Sequence, residues 1–309
     1  MQGRDLLSIA DLSPDELDAV LSLALRLKRN PEGSAGALQG QTLALLFEKP
    51  SLRTRVSFDV AMQQLGGHAV YLNQAEVGLG QREPVADVAR VLSRYVHGIA
   101  ARTYAQETQT ALAKHASVPV INALSDEEHP CQALADLLTI LERRGTLRGV
   151  RISFIGDGNN VAASLAQGAV MAGAHFAIAS PAGYRLSEAV QIEVEGYGQE
   201  SGGSFQQIES PQEAVRDADV VYTDVWTSMG QEDAYERRLQ AFAEYQVTSG
   251  LMSQARPDAI FMHDLPAHRG EEITDDVIEG PQSVVFDQAE NRLHAQRAVL
   301  LTLLGGGQT

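Results

Sequence analysis

TLALLFEKPSLRTRVSFDVAMQQLGGHAVYL, residues 42–72, decides the fold class. Thr42 to Phe47 is a short apolar run of the kind that forms a buried strand. Arg53 to Leu65 then places Phe58, Ala61 or Met62, and Leu65 at helical spacing, and Gly66-Gly67 stops it. Ala69 to Leu72 reads as a second strand. A strand, a crossover helix and a strand in so short a run predict a parallel βαβ unit.

The same pattern continues in both directions. Upstream, Ser13-Pro14-Asp15-Glu16 announces a helix: Ser13 caps it, Pro14 suits its first position and Glu16 closes a capping box. Leu17, Val20, Leu21 and Leu25 supply its apolar stripe. Downstream, the spacing predicts a helix over 84–95 with Val88, Val91, Leu92 and Tyr95 inward, and a strand from Gly98 to Ala101. A helix over Gln106 to His115, a strand over Val118 to Asn122 and a long helix from Pro130 to Arg144 follow. Gly145 to Gly149 looks like a boundary, after which the pattern restarts. Strands are expected over Val150 to Ile155, His175 to Ala179, Val220 to Thr223, Ile260 to His263 and Val284 to Phe286. Helices are expected from about Asn160, over Ser187 to Tyr197, over Pro211 to Ala218 and over Glu290 to Leu304, with a frayed tail from Gly305. The expected class is α/β: two doubly wound domains, each a mostly parallel sheet flanked by helices. They span residues 1–145 and 146–288, and residues 289–309 form a C-terminal helix.

Composition narrows the function. The chain of 309 residues holds 24 Lys and Arg against 40 Asp and Glu, a formal net charge of −16. That sign argues against nucleic acid or an anionic membrane as a partner of the general surface. Cys131 is the single cysteine, so neither an intrachain disulfide nor a cysteine-based zinc site can form. Met1 to Asp5 leads into a polar helix signal, and no apolar run is long enough to cross a bilayer. The expectation is a cytoplasmic, soluble, two-domain protein.

The unusual polar clusters sit at the carboxyl ends of expected strands, where ligands of parallel sheets bind. Ser51-Leu52-Arg53-Thr54 opens a helix with free N–H groups, two hydroxyls and a guanidinium, which suits a phosphate or equally a plain cap with solvated arginines. Arg102 follows an apolar strand. His129-Pro130-Cys131-Gln132 opens the long helix, where the dipole biases His129 toward neutral. Cys131 there is a possible nucleophile or an inert buried thiol, the second being favoured. Gly156-Asp157-Gly158-Asn159-Asn160 half resembles a dinucleotide fingerprint. Position 161 is Val and no ribose-binding acid follows, so it reads as a tight turn presenting Asn160. Asp224 and Ser228-Met229-Gly230 offer a carboxylate and N–H groups, equipment for an α-amino acid. His263 to Gly270 ends another strand, and Arg292 opens the last helix.

In this order, FEKPSLRTR (47–55), HPCQALADL (129–137), GDGNN (156–160), DVWTSMGQE (224–232), HDLPAHRGEE (263–272) and AENR (289–292) resemble the ornithine branch of the aspartate/ornithine carbamoyltransferase family. The resemblance runs from about residue 5 to residue 304. It implies transfer of a carbamoyl group from carbamoyl phosphate to the δ-amine of L-ornithine, without metal or organic cofactor. It implies that Ser51, Leu52, Arg53, Thr54 and Arg102 hold the phosphate, and that His129 and Gln132 hold the carbamoyl group. Arg292 would polarise the carbonyl oxygen, with Arg102 reaching it, and the Leu265 carbonyl would accept from the carbamoyl amide. Asn160, Asp224, Ser228 and Met229 would hold the amino-acid head. A homotrimer or a multiple of trimers, a hinge near Gly145–Gly149 and a last helix returning to the first domain are also implied.

Three positions depart from the family pattern. HDLP stands where HCLP is usual, so Asp264 replaces a cysteine beside the reacting amine; a carboxylate there attracts that ammonium and is expected to accept its proton. Gly78 stands where Gln or His often reaches into a neighbouring subunit, leaving Gln81 or Arg82 for that task. Leu52 stands where the phosphate motif commonly has Thr. Related readings are a carbamoyltransferase for putrescine or an acylated ornithine, a nucleotide-dependent oxidoreductase using the Gly156 turn, and a non-catalytic family member.

Overall fold

Nine strands carry the chain in a computed structural model that describes residues 1–227 and 232–305. They are β1 (Thr42–Phe47), β2 (His68–Asn73), β3 (Gly98–Arg102), β4 (Val120–Leu124), β5 (Arg151–Ile155), β6 (His175–Ala179), β7 (Ser204–Ile208), β8 (Val220–Thr223) and β9 (Ile260–Met262). Every pairing among them is parallel. One sheet has the order β2-β1-β3-β4 and the other β7-β6-β5-β8-β9. In both, the chain starts inside the sheet, winds to one edge and then reverses, which is the doubly wound pattern expected. The order reverses between β1 and β3, and between β5 and β8.

The chain forms two compact units, residues 1–138 with 290–309, and residues 139–289. The division falls inside the helix Pro130–Arg144, seven residues ahead of Gly145. In the first unit, β1 is buried from Leu43 to Phe47, and Cys131 to Leu138 are buried along the long helix. The N-terminal helix Pro14–Arg29 has its full capping box: Ser13 accepts from the Glu16 N–H, and Glu16 reaches back. Its inward face is Leu17, Val20, Leu21, Ala24 and Leu27, with Leu25 only half-buried. The final helix, Val285–Leu304, belongs to this unit from Glu290 onward. Arg297, fully buried, donates to the Pro31 carbonyl at 2.9 Å and to Ser34 Oγ at 3.0 Å. Gln41 Nε2 caps the Leu304 carbonyl at 3.2 Å.

Four expectations need correction. Val284 to Phe286 is not a strand. Only Ser283 bridges to Phe261 of β9, and Val285 begins the helix Val285–Leu304. Three apolar residues in a row satisfy either structure, and periodicity cannot separate them. The helix over 84–95 is shorter, Val85–Leu92; Val88 and Ala89 are buried, whereas Val91 and Tyr95 are 45% and 73% exposed. The helix over 211–218 stops at Ala214. Strand β7 has no counterpart in the sequence reading, because Ser204-Phe205-Gln206-Gln207-Ile208 is an edge strand with little apolar signal.

One glycine positions the second unit's turn. A Cβ on Gly158 would lie 2.3 Å from the Leu186 N and 2.4 Å from the Arg185 carbonyl carbon, both backbone atoms. The Gly158 N–H also donates to the Tyr184 carbonyl at 2.8 Å. Gly158→Ala should therefore destabilise the protein by about 1–3 kcal/mol. Urea unfolding measures it, and an unchanged midpoint would contradict this close approach.

Candidate active site

In the first unit, the chain leaves β1 at Phe47 and Ser51 becomes the cap of the helix Leu52–Gln64. Ser51 Oγ accepts from the Thr54 N–H at 3.3 Å and donates to Thr54 Oγ1 at 3.0 Å. Thr54 is buried and Arg53 half-buried, while Leu52 is 75% exposed, so position 52 offers only its backbone. Arg102 ends β3, buried, and its carbonyl takes the Glu48 N–H at 2.8 Å. His129 precedes the long helix and Gln132 lies in its first turn, both buried.

Arg292 ties these pieces together. Its Nη2 donates to Thr54 Oγ1 at 2.8 Å and its Nη1 donates to Gln132 Oε1. Gln132 Nε2 donates to Asp136 Oδ1 at 2.8 Å, which fixes the amide with its oxygen toward Arg292. Asp136 was not among the expected site residues. Its signal is its place one helical turn after Gln132 in HPCQALAD.

The electrostatics of this cluster explain its protonation states. Burial, then Arg292 and Arg102, hold His129 well below its ordinary pKa of 6.5, so the imidazole is neutral. The helix dipole acts in the same direction, but burial and the two guanidiniums are the causes that dominate. Burial pushes the Cys131 thiol up to about 12 against the pull of Arg292, and its Sγ donates to the Asn122 carbonyl at 3.5 Å. That excludes a thiolate nucleophile at neutral pH.

A pH dependence of stability follows from His129. Unfolding restores its ordinary affinity for a proton, so below 6.5 the unfolded chain binds a proton that the native chain refuses. Stability therefore falls as pH drops from about 6.5 to 5, by up to about 1.4 kcal/mol per pH unit. Urea titrations across this window should show a shallower slope in His129→Asn. An equal slope would show that His129 is not the group responsible.

In the second unit, Gly156-Asp157-Gly158 follows β5 and Asn159 caps the helix Asn160–Met171. Asn159 Oδ1 accepts the Val161 and Ala162 N–H groups, each at 3.0 Å, while its Nδ2 donates to Asp224 Oδ2 at 2.7 Å. Asn159 is thus the partner of Asp224, and Asn160, half-buried, accepts the Val161 N–H at 3.0 Å through its own side chain. The adjacent asparagines cannot be told apart in sequence except by which of them is the cap.

Asp224 lies just past β8, buried, and also accepts the Val225 N–H at 2.7 Å. Asp224, His263 and Asp264 each bring a side-chain nitrogen or oxygen within 4.8 Å of the others. Burial and the neighbouring Asp264 push Asp224 well above the usual carboxylate range, with His263 and Asn159 opposing. His263 is fully buried; its Nε2 faces Glu272 Oε1 at 3.1 Å, and its Nδ1 accepts the Leu265 N–H at 2.9 Å. Burial favours neutral imidazole, while Asp264, Glu272 and Asp224 raise its proton affinity; because Nδ1 accepts from Leu265, the ring holds its proton on Nε2, toward Glu272. Leu265 has φ of +59°, a left-handed conformation that a branched side chain seldom adopts. The hydrogen bond to His263 holds it there. His263 opens the polar run 263–270 singled out in the sequence, but neither it nor Glu272 has a role assigned there.

Arg238 braces this segment from behind, donating to Asp157 Oδ2 and to the Trp226 carbonyl. Trp226 stacks on Phe242 with ring centroids 5.8 Å apart. Ser228 and Met229 lie outside the described residues. Gly78, at the end of a short helix, has φ of +64°, and a Cβ would meet Arg82 Cβ at 2.6 Å. Its lack of a side chain is therefore a backbone requirement of this loop.

The first unit can bind an anion and polarise a carbonyl with neutral imidazole and guanidinium donors; the second presents carboxylates to a cation. Residues 4–142 match the model of the aspartate/ornithine carbamoyltransferase carbamoyl-P binding domain, and residues 148–303 match that of the Asp/Orn binding domain. The chain belongs to the aspartate/ornithine carbamoyltransferase family. Among family members, the ornithine carbamoyltransferase of Pyrococcus abyssi is 54% identical over 311 residues, covering 100% of this chain and 98% of that one. An ornithine carbamoyltransferase of Pyrococcus furiosus described as anabolic is 53% identical over 308 residues, 99% and 98% of the two chains. The solved structure of ornithine carbamoyltransferase from Pyrococcus furiosus superposes with a TM-score of 0.96 at 53% identity, covering 99% of each chain. The carbamoyltransferase fold thus spans the whole chain, as its motifs implied. Among the described residues, no helix is long and apolar enough to cross a membrane.

Proposed function

We propose that this protein transfers the carbamoyl group of carbamoyl phosphate to the δ-amine of L-ornithine, giving L-citrulline and phosphate. The observation that carries the reading is Arg292 bridging Thr54 and Gln132 beside neutral, buried His129. Ser51, Arg53, Thr54 and Arg102, with the Leu52 backbone, hold the phosphate at the helix terminus. Gln132 holds the carbamoyl group, and the Leu265 carbonyl accepts from its amide. Asp224, Asn160, Ser228 and Met229 hold the amino-acid head, with Asn159 orienting Asp224.

The δ-ammonium loses one proton to Asp264, directly or through water, and its nitrogen lone pair then attacks the carbonyl carbon. The C–N bond forms, negative charge grows on the carbonyl oxygen, and Arg102, His129 and Arg292 face that charge. The C–O bond to phosphate breaks with its electron pair on phosphate, which takes the second proton from the nitrogen. Holding both reactants in attack geometry supplies much of the remaining acceleration.

The active form is a homotrimer or a multiple of it, in the cytoplasm. Leu52 and Val56, one turn apart on one helix face and 75% and 49% exposed, support an apolar contact with another copy. Sedimentation should find a species at least three times the 33.3 kDa chain; an active monomer would overturn this. The anabolic description of the Pyrococcus furiosus relative favours a role in arginine biosynthesis. The acceptor is tested by supplying carbamoyl phosphate with ornithine, putrescine or an acylated ornithine and identifying products by mass. Citrulline from ornithine is expected; product from another amine alone would replace ornithine as the acceptor.

A further inference from the structure

Asp264 poses a problem that its pairing resolves. A lone carboxylate beside the reacting nitrogen stabilises the ammonium, which cannot attack. Yet Asp264 is not alone: it meets Asp224 and His263 within 4.8 Å, the two aspartates arriving from the ends of different strands. Asp224 is 6% exposed, and its hydrogen-bond contact with Asp264 is among the causes that raise its proton affinity. His263 faces the pair, and Glu272 lies behind His263, itself fully buried. Even with His263 charged, three carboxylates and one imidazolium leave two negative charges in this enclosed cluster. Two carboxylates in contact do not both stay ionised there, because repulsion and desolvation act together.

We propose that Asp224 and Asp264 work as one unit, a carboxylate pair that holds a single shared proton at neutral pH in the free protein. This rests on the carbamoyl-transfer reading and deepens it. When ornithine binds, its α-ammonium docks on Asp224 and replaces the positive charge of the shared proton, which leaves to solvent. Asp264 then takes one proton from the δ-ammonium, the nitrogen keeps the lone pair that attacks, and the pair again holds one proton. The overall release is one proton per ornithinium consumed, which balances the reaction. A paired carboxylate has a proton affinity nearer the working pH than an isolated one, as an effective proton acceptor requires.

The test is infrared difference spectroscopy on the full chain without substrate at neutral pH. Wild type should show the C=O stretch of one protonated carboxyl that Asp264→Cys lacks, since Asp224 without its like-charged neighbour keeps His263 and the Asn159 amide, which favour its anion against burial. Asp264→Asn and Asp224→Asn should each abolish the same band, so the result does not hang on one variant folding. Absence of the band in wild type, or its survival unchanged in Asp264→Cys, would overturn the pair. The pH–rate profile of citrulline formation should shift in Asp264→Cys; an unchanged profile and rate would remove the proton-accepting half. The infrared result is independent of turnover, so it stands or falls apart from the identity of the acceptor amine.

Discussion

Arg292→Leu lowers kcat for citrulline formation about a hundred- to a thousandfold. Arg292 donates to both Thr54 and Gln132 and is one of two cations that hold His129 neutral. Removing it takes away a preorganised donor aimed at the developing oxyanion, a loss that typically costs that much. It also leaves Gln132 Oε1 and Thr54 Oγ1 without their guanidinium donor, so carbamoyl phosphate binding weakens too. Arg292→Lys restores the charge but not the two-pronged fork, and should recover only part of the rate. Steady-state kinetics with urea unfolding as a control separates catalysis from folding. A loss below tenfold in a fully folded Arg292→Leu protein would remove Arg292 from the chemistry.

Arg238→Met destabilises the protein by about 3–5 kcal/mol, the usual result of stranding one partner of a buried ion pair. Arg238 and Asp157 are both largely buried, with side-chain exposures of 8% and 12%. The guanidinium also donates to the Trp226 carbonyl, so two acceptors lose their donor at once. Burial already pushes Asp157 above the usual carboxylate range, and only Arg238 opposes this. In the variant, Asp157 is therefore easier to protonate than in the unfolded chain. The native variant binds the extra proton, so its deficit shrinks as pH falls and is full at neutral pH. Adding Asp157→Asn should recover part of the loss, since no buried charge then remains. Urea midpoints measure both, and a single-variant change under 1 kcal/mol would mean that the pair is solvated.

Legibility in sequence followed the strength of the local signal. Pro130–Arg144 and Gln106–His115 were read to the residue because their spacing and flanking breakers agree. Buried strands of parallel sheets read well for the same reason, as Thr42–Phe47 does. The edge strand Ser204–Ile208 gave no such signal, and Val284 to Phe286 gave an ambiguous one that the helix Val285–Leu304 took over. Val91 and Tyr95 fit a helical stripe, but the helix ends at Leu92 and that stripe does not turn inward.

The first unit's cluster was legible because its residues sit in compact motifs, Ser51 to Thr54 and His129 to Gln132. Their mutual contacts were not: Arg292 reaches Thr54 across 238 positions of chain and Gln132 across 160. The second unit's cluster was legible as a list of acids. Its organisation depends on which of two asparagines caps a helix, and on two strand ends bringing Asp224 to Asp264. No spacing rule in a single sequence reports either.

Carbamoyl transfer to ornithine yields two products from one event. The most direct measurement follows citrulline and phosphate together, with carbamoyl phosphate and ornithine as the sole substrates. The two products should appear in equal amounts, and both should fall together in Arg292→Leu. Phosphate without citrulline, or citrulline formation untouched by Arg292→Leu, would rule out carbamoyl transfer to ornithine at this site.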